Sequence, residues 1–354
     1  RDLHLSIRRQ RQMCIRDRSD DGNGFSLDII DKLGEPYVSK NNQGMGLGIF
    51  IAKNLINNGF KLTVLDLNHN LSSSFKEIGA KWAASPRELA ANSEMIITCL
   101  PSPKACSDVM EGEDGVIKGL SKGKIWAEMS TTDFEEVKRI GKLVSSASGE
   151  PMDCPVSGGC HRAATGNISI FAGTQRDTFE KALPVLKTMG RKILHTGDLG
   201  SASILKVATN YLATTNLISV SEALITCKAA GLNLNTTFEA FKISSGNSFV
   251  HETEGQVILN GSRDINFTMD LVLKDIGLFD EIAKKNKIPL EISPLINQIF
   301  EDGQLKYGPR EWSPNIIKRL EDATGISVLA PGFPDEIVDD EEPKEGYEVI
   351  PTGT

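Results

Sequence analysis

The sequence changes its period once, at Gly200, and that change sets the architecture. Before it, short apolar and β-branched runs alternate with amphipathic stretches. KLTVLDL (61–67), EMIITCL (94–100) and KIWAEMS (124–130) read as strands, with further strands near 151–156, 168–173 and 192–196. Helices are expected over 72–80, 86–92, 133–148 and 177–189, with another inside 104–120. Such alternation builds a largely parallel sheet covered by helices on both faces. After Gly200 the strand signals vanish. SASILKVATNYLATTNLISVSEALITCKAA (201–230) is one helical run closed by Gly231, and helical segments follow near 235–243, 248–259, 270–286 and 290–306. The expected architecture is therefore an α/β nucleotide-type domain followed by an all-α domain. A helix of thirty residues spans roughly 45 Å. That is too long for one small domain, so it is expected to join the two and to carry core or subunit interface.

A chain of 354 residues is long enough for two domains with real cores. Its net charge of −8 argues against nucleic acid and anionic membranes as partners. No apolar run approaches the ~20 residues of a spanning helix. The six cysteines (14, 99, 106, 154, 160 and 227) contain no C-x-x-C pair. This is neither a disulfide framework nor a zinc site, so a reducing, cytoplasmic setting and no metal are expected. Cys160 and His161 are adjacent, yet no second ligand pair stands at useful spacing. The first eighteen residues, RDLHLSIRRQRQMCIRDR, are Arg-rich and acid-poor like a transit peptide, but without a clean amphipathic period. They are expected to be foreign to the fold or disordered. The tail, 330–354, holds Pro331, Pro334, Pro343 and Pro351 among many acids and is expected to be extended.

Four places carry candidate chemistry. In NQGMGLGIFIAKNL (42–55), Gly44, Gly46 and Gly48 alternate ahead of a helix. A glycine turn at a helix start suits a phosphate, but this spacing is not the dinucleotide G-x-G-x-x-G. Asp66 closes a strand twenty residues after Gly46, where an acid can bond the ribose 2′-OH of a dinucleotide. No Arg follows in LNHN (67–70), which favours NAD over NADP; an ordinary turn aspartate fits the same letters. Ser157-Gly158-Gly159 is a bare turn that can hold a carboxylate, or a purely structural one. Lys206 and Asn210 share a helix face, with Ile204, Leu205, Val207 and Ala208 around the lysine. A partly desolvated lysine has a lowered pKa and can take a proton from a hydroxyl. The pair equally fits a solvated surface lysine. Lys274-Asp275 reads as an ion pair on a helix.

The combination is more specific than its parts. AKNLINNGFKLTVLD, ITCLPSP, EMST, DCPVSGG with ATGNISIFAG, a G-x-x-x-x-x-K-x-x-x-N string at 200–210 and FTMDLVLKD occur in that order. From about residue 52 to 345 the chain resembles the β-hydroxyacid dehydrogenase family, in its 3-hydroxyisobutyrate branch. The resemblance implies a Rossmann-type domain plus a helical domain, assembled as a homodimer or homotetramer. It implies oxidation of a small 3-hydroxy acid to its semialdehyde with NAD, NADP being the second choice; tartronate semialdehyde is an alternative substrate within the class. By the same resemblance Ser157, Gly158 and Gly159 hold the substrate carboxylate. Lys206 is the general acid/base and Asn210 supports it. Lys274 lines the cleft at the cofactor, and Leu100, Pro101, Ser130 and Thr131 contact the dinucleotide. The implied division is 1–44 foreign or disordered, 45–198 NAD-binding, 199–325 helical and 326–354 acidic tail. Cys160-His161-Arg162 departs from the small residues of many relatives, and a charged Arg there bears on substrate choice.

The start of the chain departs further. Aligned on Ala52–Leu55, the three fingerprint positions fall on Gln43, Met45 and Gly48, and only the last is glycine. KLGEPYVSKNN, just upstream, offers no β-branched run for the central first strand. Residues 20–51 instead resemble sensor histidine kinases. DDGNG (20–24) matches their D-x-G-x-G box, and FSLDIIDKLGEPYVSK with GMGLGIFIAKNLI matches their lid and second glycine box. Their phospho-accepting His helix and Asn-bearing helix are absent from the sequence. The expectation is a chimera with its seam near AKNLI. Three readings follow: an NAD-dependent dehydrogenase, an ATP-binding kinase fragment, or an inert product.

Overall fold

The computed structural model describes residues 47–353. The chain enters as α1 (Leu47–Asn57), which buries Phe50, Ala52 and Leu55. Then follow β1 (Thr63–Val64), α2 (Ser72–Glu77), β2 (Lys81–Trp82), α3 (Pro86–Ala91), β3 (Met95–Thr98) and α4 (Pro103–Glu111). β4 (Ile125–Glu128), α5 (Phe134–Ser146), β5 (Glu150–Asp153), β6 (Val156–Ser157), α6 (Gly159–Thr165), β7 (Ser169–Gly173), α7 (Arg176–Met189) and β8 (Lys192–Gly197) complete the α/β part. α3 and α4 begin alike for a local reason. Ser85 and Ser102 accept the N–H groups of Glu88 and Ala105, and a proline at the first helical position needs no donor. Pro101-Ser102-Pro103 thus ends a strand and starts a helix in one stroke.

β3, β4 and β5 run parallel, with Met95 opposite Ile125 and Ile125 opposite Glu150. β7 meets β5 antiparallel through Asp153 and Gly173, β8 runs parallel to β7, and β6 pairs antiparallel with β7. Trp126, Ile140, Ile170, Phe179 and Ile193 are fully buried around this sheet. β1 and β2 form a separate parallel pair. Among the described residues no strand joins β1 to β3. The position of a first strand, Gly44, Gly46 and the kinase-like residues up to 46 lie outside the described residues. The strand expected over 61–67 pairs only at Thr63 and Val64.

The helical part is built on α8 (Ser201–Ala229), followed by α9 (Leu234–Lys242), α10 (Phe249–Glu252), α11 (Glu254–Asn260), α12 (Met269–Lys285), α13 (Ser293–Tyr307) and α14 (Lys318–Thr324). Leu217, Leu224, Phe238, Ile258, Val272, Ile276, Ile296 and Phe300 form one buried cluster. The single helix expected over 248–259 is two, broken at Thr253 (φ −109°, ψ −76°). α6 and α14, which are not among the helices expected from sequence, are short helices. No helix among the described residues is long and apolar enough to cross a membrane. The tail is extended, then adds a strand β9 (Tyr347–Glu348) parallel to β8 at the sheet edge.

One carboxylate ties the two parts together. Asp153, the last residue of β5, is fully buried and accepts the Gly200 N–H at 2.7 Å, the Ser203 N–H at 2.7 Å and the Ser203 hydroxyl at 2.8 Å. Burial pushes its carboxyl pKa up, while these bonds oppose that shift. Gly200 takes a left-handed φ of 91°, which turns the chain into α8. Across the sheet a Cβ on Gly173 would collide with Asp153 Oδ1, so glycine is required there. Asp153→Ala leaves three donors unpaired. It is expected to lower unfolding free energy by about 3 kcal/mol or more, read as a shift of the urea midpoint.

Candidate active site

The carboxyl ends of β3 and β4 are locked to each other by a second buried acid. Glu128 closes β4 and accepts from the Thr98 hydroxyl at 2.8 Å, the Cys106 thiol at 2.8 Å and the Ser130 N–H at 2.7 Å. Burial pushes the Glu128 carboxyl pKa up. The Cys106 thiol beside it is also pushed up by burial and by the Glu128 charge. Ser130 in turn accepts the Leu100 N–H at 2.7 Å. The loops carrying Leu100-Pro101 and Ser130-Thr131 are therefore one unit at the carboxyl edge, where open α/β sheets bind ligands.

Lys206 stands one turn beyond Ser203 on α8. It is only 9 % exposed, and its Nζ donates to Asn210 Oδ1 at 2.9 Å. Asn210 Nδ2 donates to Asp275 Oδ2 at 2.5 Å. Asp275, buried on α12, faces Lys274 Nζ at 3.0 Å, and that Nζ donates to the Thr131 carbonyl at 2.8 Å. The chain Lys206–Asn210–Asp275–Lys274–Thr131 thus runs from α8 through α12 to the loop after β4. Burial pushes the Lys206 ammonium down to about 8; Asp275 pulls it up, and Lys274 lowers it further. A lysine with this pKa exchanges protons near neutral pH, as a general base must.

The glycine turn leads into a helix that packs on the helical part, but it lies outside this chain of bonds. Ser157 ends β6 opposite Ser169. Gly158 and Gly159 have φ of 129° and 81°, values that exclude most side chains. α6 follows at once, and its buried His161 ring stacks on Phe249 of α10 with centroids 6.2 Å apart. Burial and the adjacent Arg162 hold the His161 imidazole down to about 4, so it is neutral at physiological pH. Among the described residues no hydrogen bond links Ser157 to Lys206 or Asn210.

Two sequence candidates stand apart. Asp66 is exposed two residues past β1 and accepts the Asn68 N–H at 2.7 Å, an Asx turn. Gly48 is exposed in the first turn of α1, with open space where a Cβ would stand. Positions 43 and 45 of the fingerprint lie outside the described residues.

Sequence reading missed Glu128, Asp153 and Phe249 as parts of the site, and it gave Asp275 no role beyond an ion pair with Lys274. A lone acid closing the otherwise apolar IWAE strand was the available signal for Glu128. Nothing in the letters says that Asp153 reaches fifty residues ahead to Ser203. The lowered Lys206 pKa also carries a stability cost. A base whose folded pKa lies below its unfolded value destabilises the fold wherever it must stay charged, so stability rises between about pH 8 and 10.5. Lys206→Met is expected to raise the melting temperature at pH 7, by up to about 3 kcal/mol in free energy, while removing the base.

Comparison with known proteins follows the two parts of the fold. A family model described as the NAD binding domain of 6-phosphogluconate dehydrogenase matches residues 44–197. One described as NAD-binding of NADP-dependent 3-hydroxyisobutyrate dehydrogenase matches residues 200–320. The 2-(hydroxymethyl)glutarate dehydrogenase of Eubacterium barkeri is 33 % identical over 287 residues, covering 80 % of this chain and 95 % of that protein. The mitochondrial 3-hydroxyisobutyrate dehydrogenase of Mus musculus is 31 % identical over 265 residues, covering 73 % of this chain and 79 % of that protein. A crystal structure of 3-hydroxyisobutyrate dehydrogenase from Salmonella typhimurium shares the fold with a TM-score of 0.70 at 24 % identity, covering 77 % of this chain and 96 % of its own.

Proposed function

The chain belongs to the β-hydroxyacid dehydrogenase family, and from that premise we propose that it oxidises a small 3-hydroxy acid to its semialdehyde with NAD. The observation that carries the proposal is Lys206, buried where the two parts of the fold meet, with its ammonium lowered to about 8 and its Nζ on Asn210 at 2.9 Å. Bound NAD supplies the hydride acceptor. Neutral Lys206 takes the hydroxyl proton at Nζ, and Asn210 holds that nitrogen in place. Ser157 and the backbone of Gly158-Gly159 hold the substrate carboxylate. Asp66, Leu100, Pro101, Ser130, Thr131 and Lys274 are proposed to line the dinucleotide, and Gly48 to fall at its third fingerprint position. Within the family, 3-hydroxyisobutyrate is preferred as substrate over tartronate semialdehyde. A division at 45–198, 199–325 and 326–354, and a homodimeric or homotetrameric assembly, belong to the same reading.

Two measurements test the chemistry. Lys206→Ala is expected to lower kcat by about 100- to 10,000-fold, with far less change in NAD affinity; near-normal turnover would remove Lys206 from the mechanism. Because only the neutral amine accepts a proton, kcat/KM is expected to rise with pH up to about 8 and then level off. Asp275→Asn should move that limb to lower pH, since the Asp275 charge holds the Lys206 pKa up.

A second reading has its own observation. β1 and β2 stand apart from the main sheet among the described residues. The reading rests on the fingerprint, where Gln43 and Met45 stand in place of two glycines, and takes the chain as one whose pyrophosphate site is incomplete, joined near AKNLI to a kinase-like segment. Thermal unfolding separates the two readings. NAD at a hundred times its Kd adds about 2.7 kcal/mol to a chain that binds it. An unchanged midpoint is the outcome the second reading expects. ATP titrated by calorimetry is expected to release no heat under either.

A further inference from the structure

The tail beyond residue 330 falls outside both family matches, the second of which ends at 320. It is nevertheless fixed at both ends. Asn235 Nδ2 donates to the Pro331 carbonyl at 2.9 Å and Asn260 Nδ2 to the Phe333 carbonyl at 2.9 Å, holding it to the helical part. At the far end β9 lies on β8, and Arg176 pairs with Glu348 at 2.5 Å. Between these anchors the chain is a strap, and its carboxylates fall on one place. Asp339 accepts from the Thr165 hydroxyl and from Asn167 Nδ2, the latter at 2.7 Å. Asn167 Nδ2 also donates to the Glu341 carbonyl at 2.9 Å, and Glu341 Oε1 pairs with Arg162 Nη2 at 3.1 Å. All three residues gripped by the strap belong to α6 or the loop that follows it.

Arg162 is the important one. Its side chain covers the glycine turn, for a Cβ on Gly158 would stand 3.2 Å from Arg162 Cδ. Its guanidinium rests 5.0 Å from the Phe249 ring centre. A guanidinium next to a turn that holds one carboxylate is a natural receptor for a second one, through its fork of N–H donors. Glu341 already occupies part of that fork and cancels its charge. We propose that Glu341 is a specificity-determining residue of this site: by neutralising Arg162 it favours hydroxy monocarboxylates over dicarboxylates. The inference rests on Ser157–Gly159 being the carboxylate turn. Glu341 is half exposed, so the pair with Arg162 adds little to stability, and its effect falls on the ligand.

The test is calorimetric binding of two unreactive analogues, isobutyrate and 2-methylglutarate, to the full chain with and without NAD. It is paired with KM and kcat for 3-hydroxyisobutyrate and 2-(hydroxymethyl)glutarate. Glu341→Gln is expected to shift the affinity ratio about tenfold toward the diacid. The change should appear in KM rather than kcat, at an unchanged melting temperature. The double variant Arg162→Gln/Glu341→Gln should lose the gain. A ratio within about twofold of the parent in Glu341→Gln, or a gain that survives without Arg162, overturns the proposal. If neither analogue binds parent or variant, or if Ser157→Ala leaves both affinities unchanged, the turn assignment itself fails and the inference falls with it. Those results are distinct from a flat ratio on a site that binds.

Discussion

The fold depends on a single buried carboxylate. Asp153 ends the last parallel strand of the β3–β4–β5 run and accepts three bonds from the first turn of α8. A buried acid is costly unless its oxygens are satisfied. Here its acceptors are filled by the donors that a helix start leaves unpaired, and the helix dipole adds to the attraction. The bonds that the helix start needs offset part of the cost of burial, which still leaves the Asp153 pKa raised. The result is a fixed angle between sheet and helix, and Lys206 rides on that helix one turn further on.

The same logic recurs at Glu128, which binds three donors and fixes the loop that receives Lys274. Between these two acids the site is an alternation of charge: Lys206, Asp275, Lys274, with Asn210 relaying between the first two. Alternation lets two lysines share a poorly solvated junction. It also sets the balance at Lys206, where burial outweighs the attraction of Asp275 and leaves an amine that can lose its proton near neutral pH. Positioning and reactivity thus come from one arrangement, because the groups that hold Lys206 are also those that tune it.

The glycine turn is organised differently. Its backbone shape is forced by two positive φ angles, and its surroundings come from distant parts of the chain. Phe249 is contributed by the helical part, and Glu341 by the tail. Arg162 contacts both, so the turn shares a boundary with elements that lie some ninety and one hundred and eighty residues away along the chain.

Much of this was legible in the letters. The loss of strand signal at Gly200 separated the two parts because a period of two and a period of 3.6 cannot be confused over thirty residues. Lys206 and Asn210 were visible as one helix face, and Ser157-Gly158-Gly159 as a turn that only glycine can make. The sequence could not show which acids would be buried, since Asp66, Asp153 and Asp275 look alike in one dimension. Only the tertiary structure placed Asp66 in solvent and the other two at the junction, because burial is set by strands and helices far apart in the chain. The tail gives the same contrast. Its prolines and acids fixed an extended backbone, while its path across α6 was decided by partners at Arg162, Thr165 and Asn167 that local propensity cannot name. Local geometry was thus written in the sequence, and the electrostatic environment, which sets the chemistry, was decided by packing.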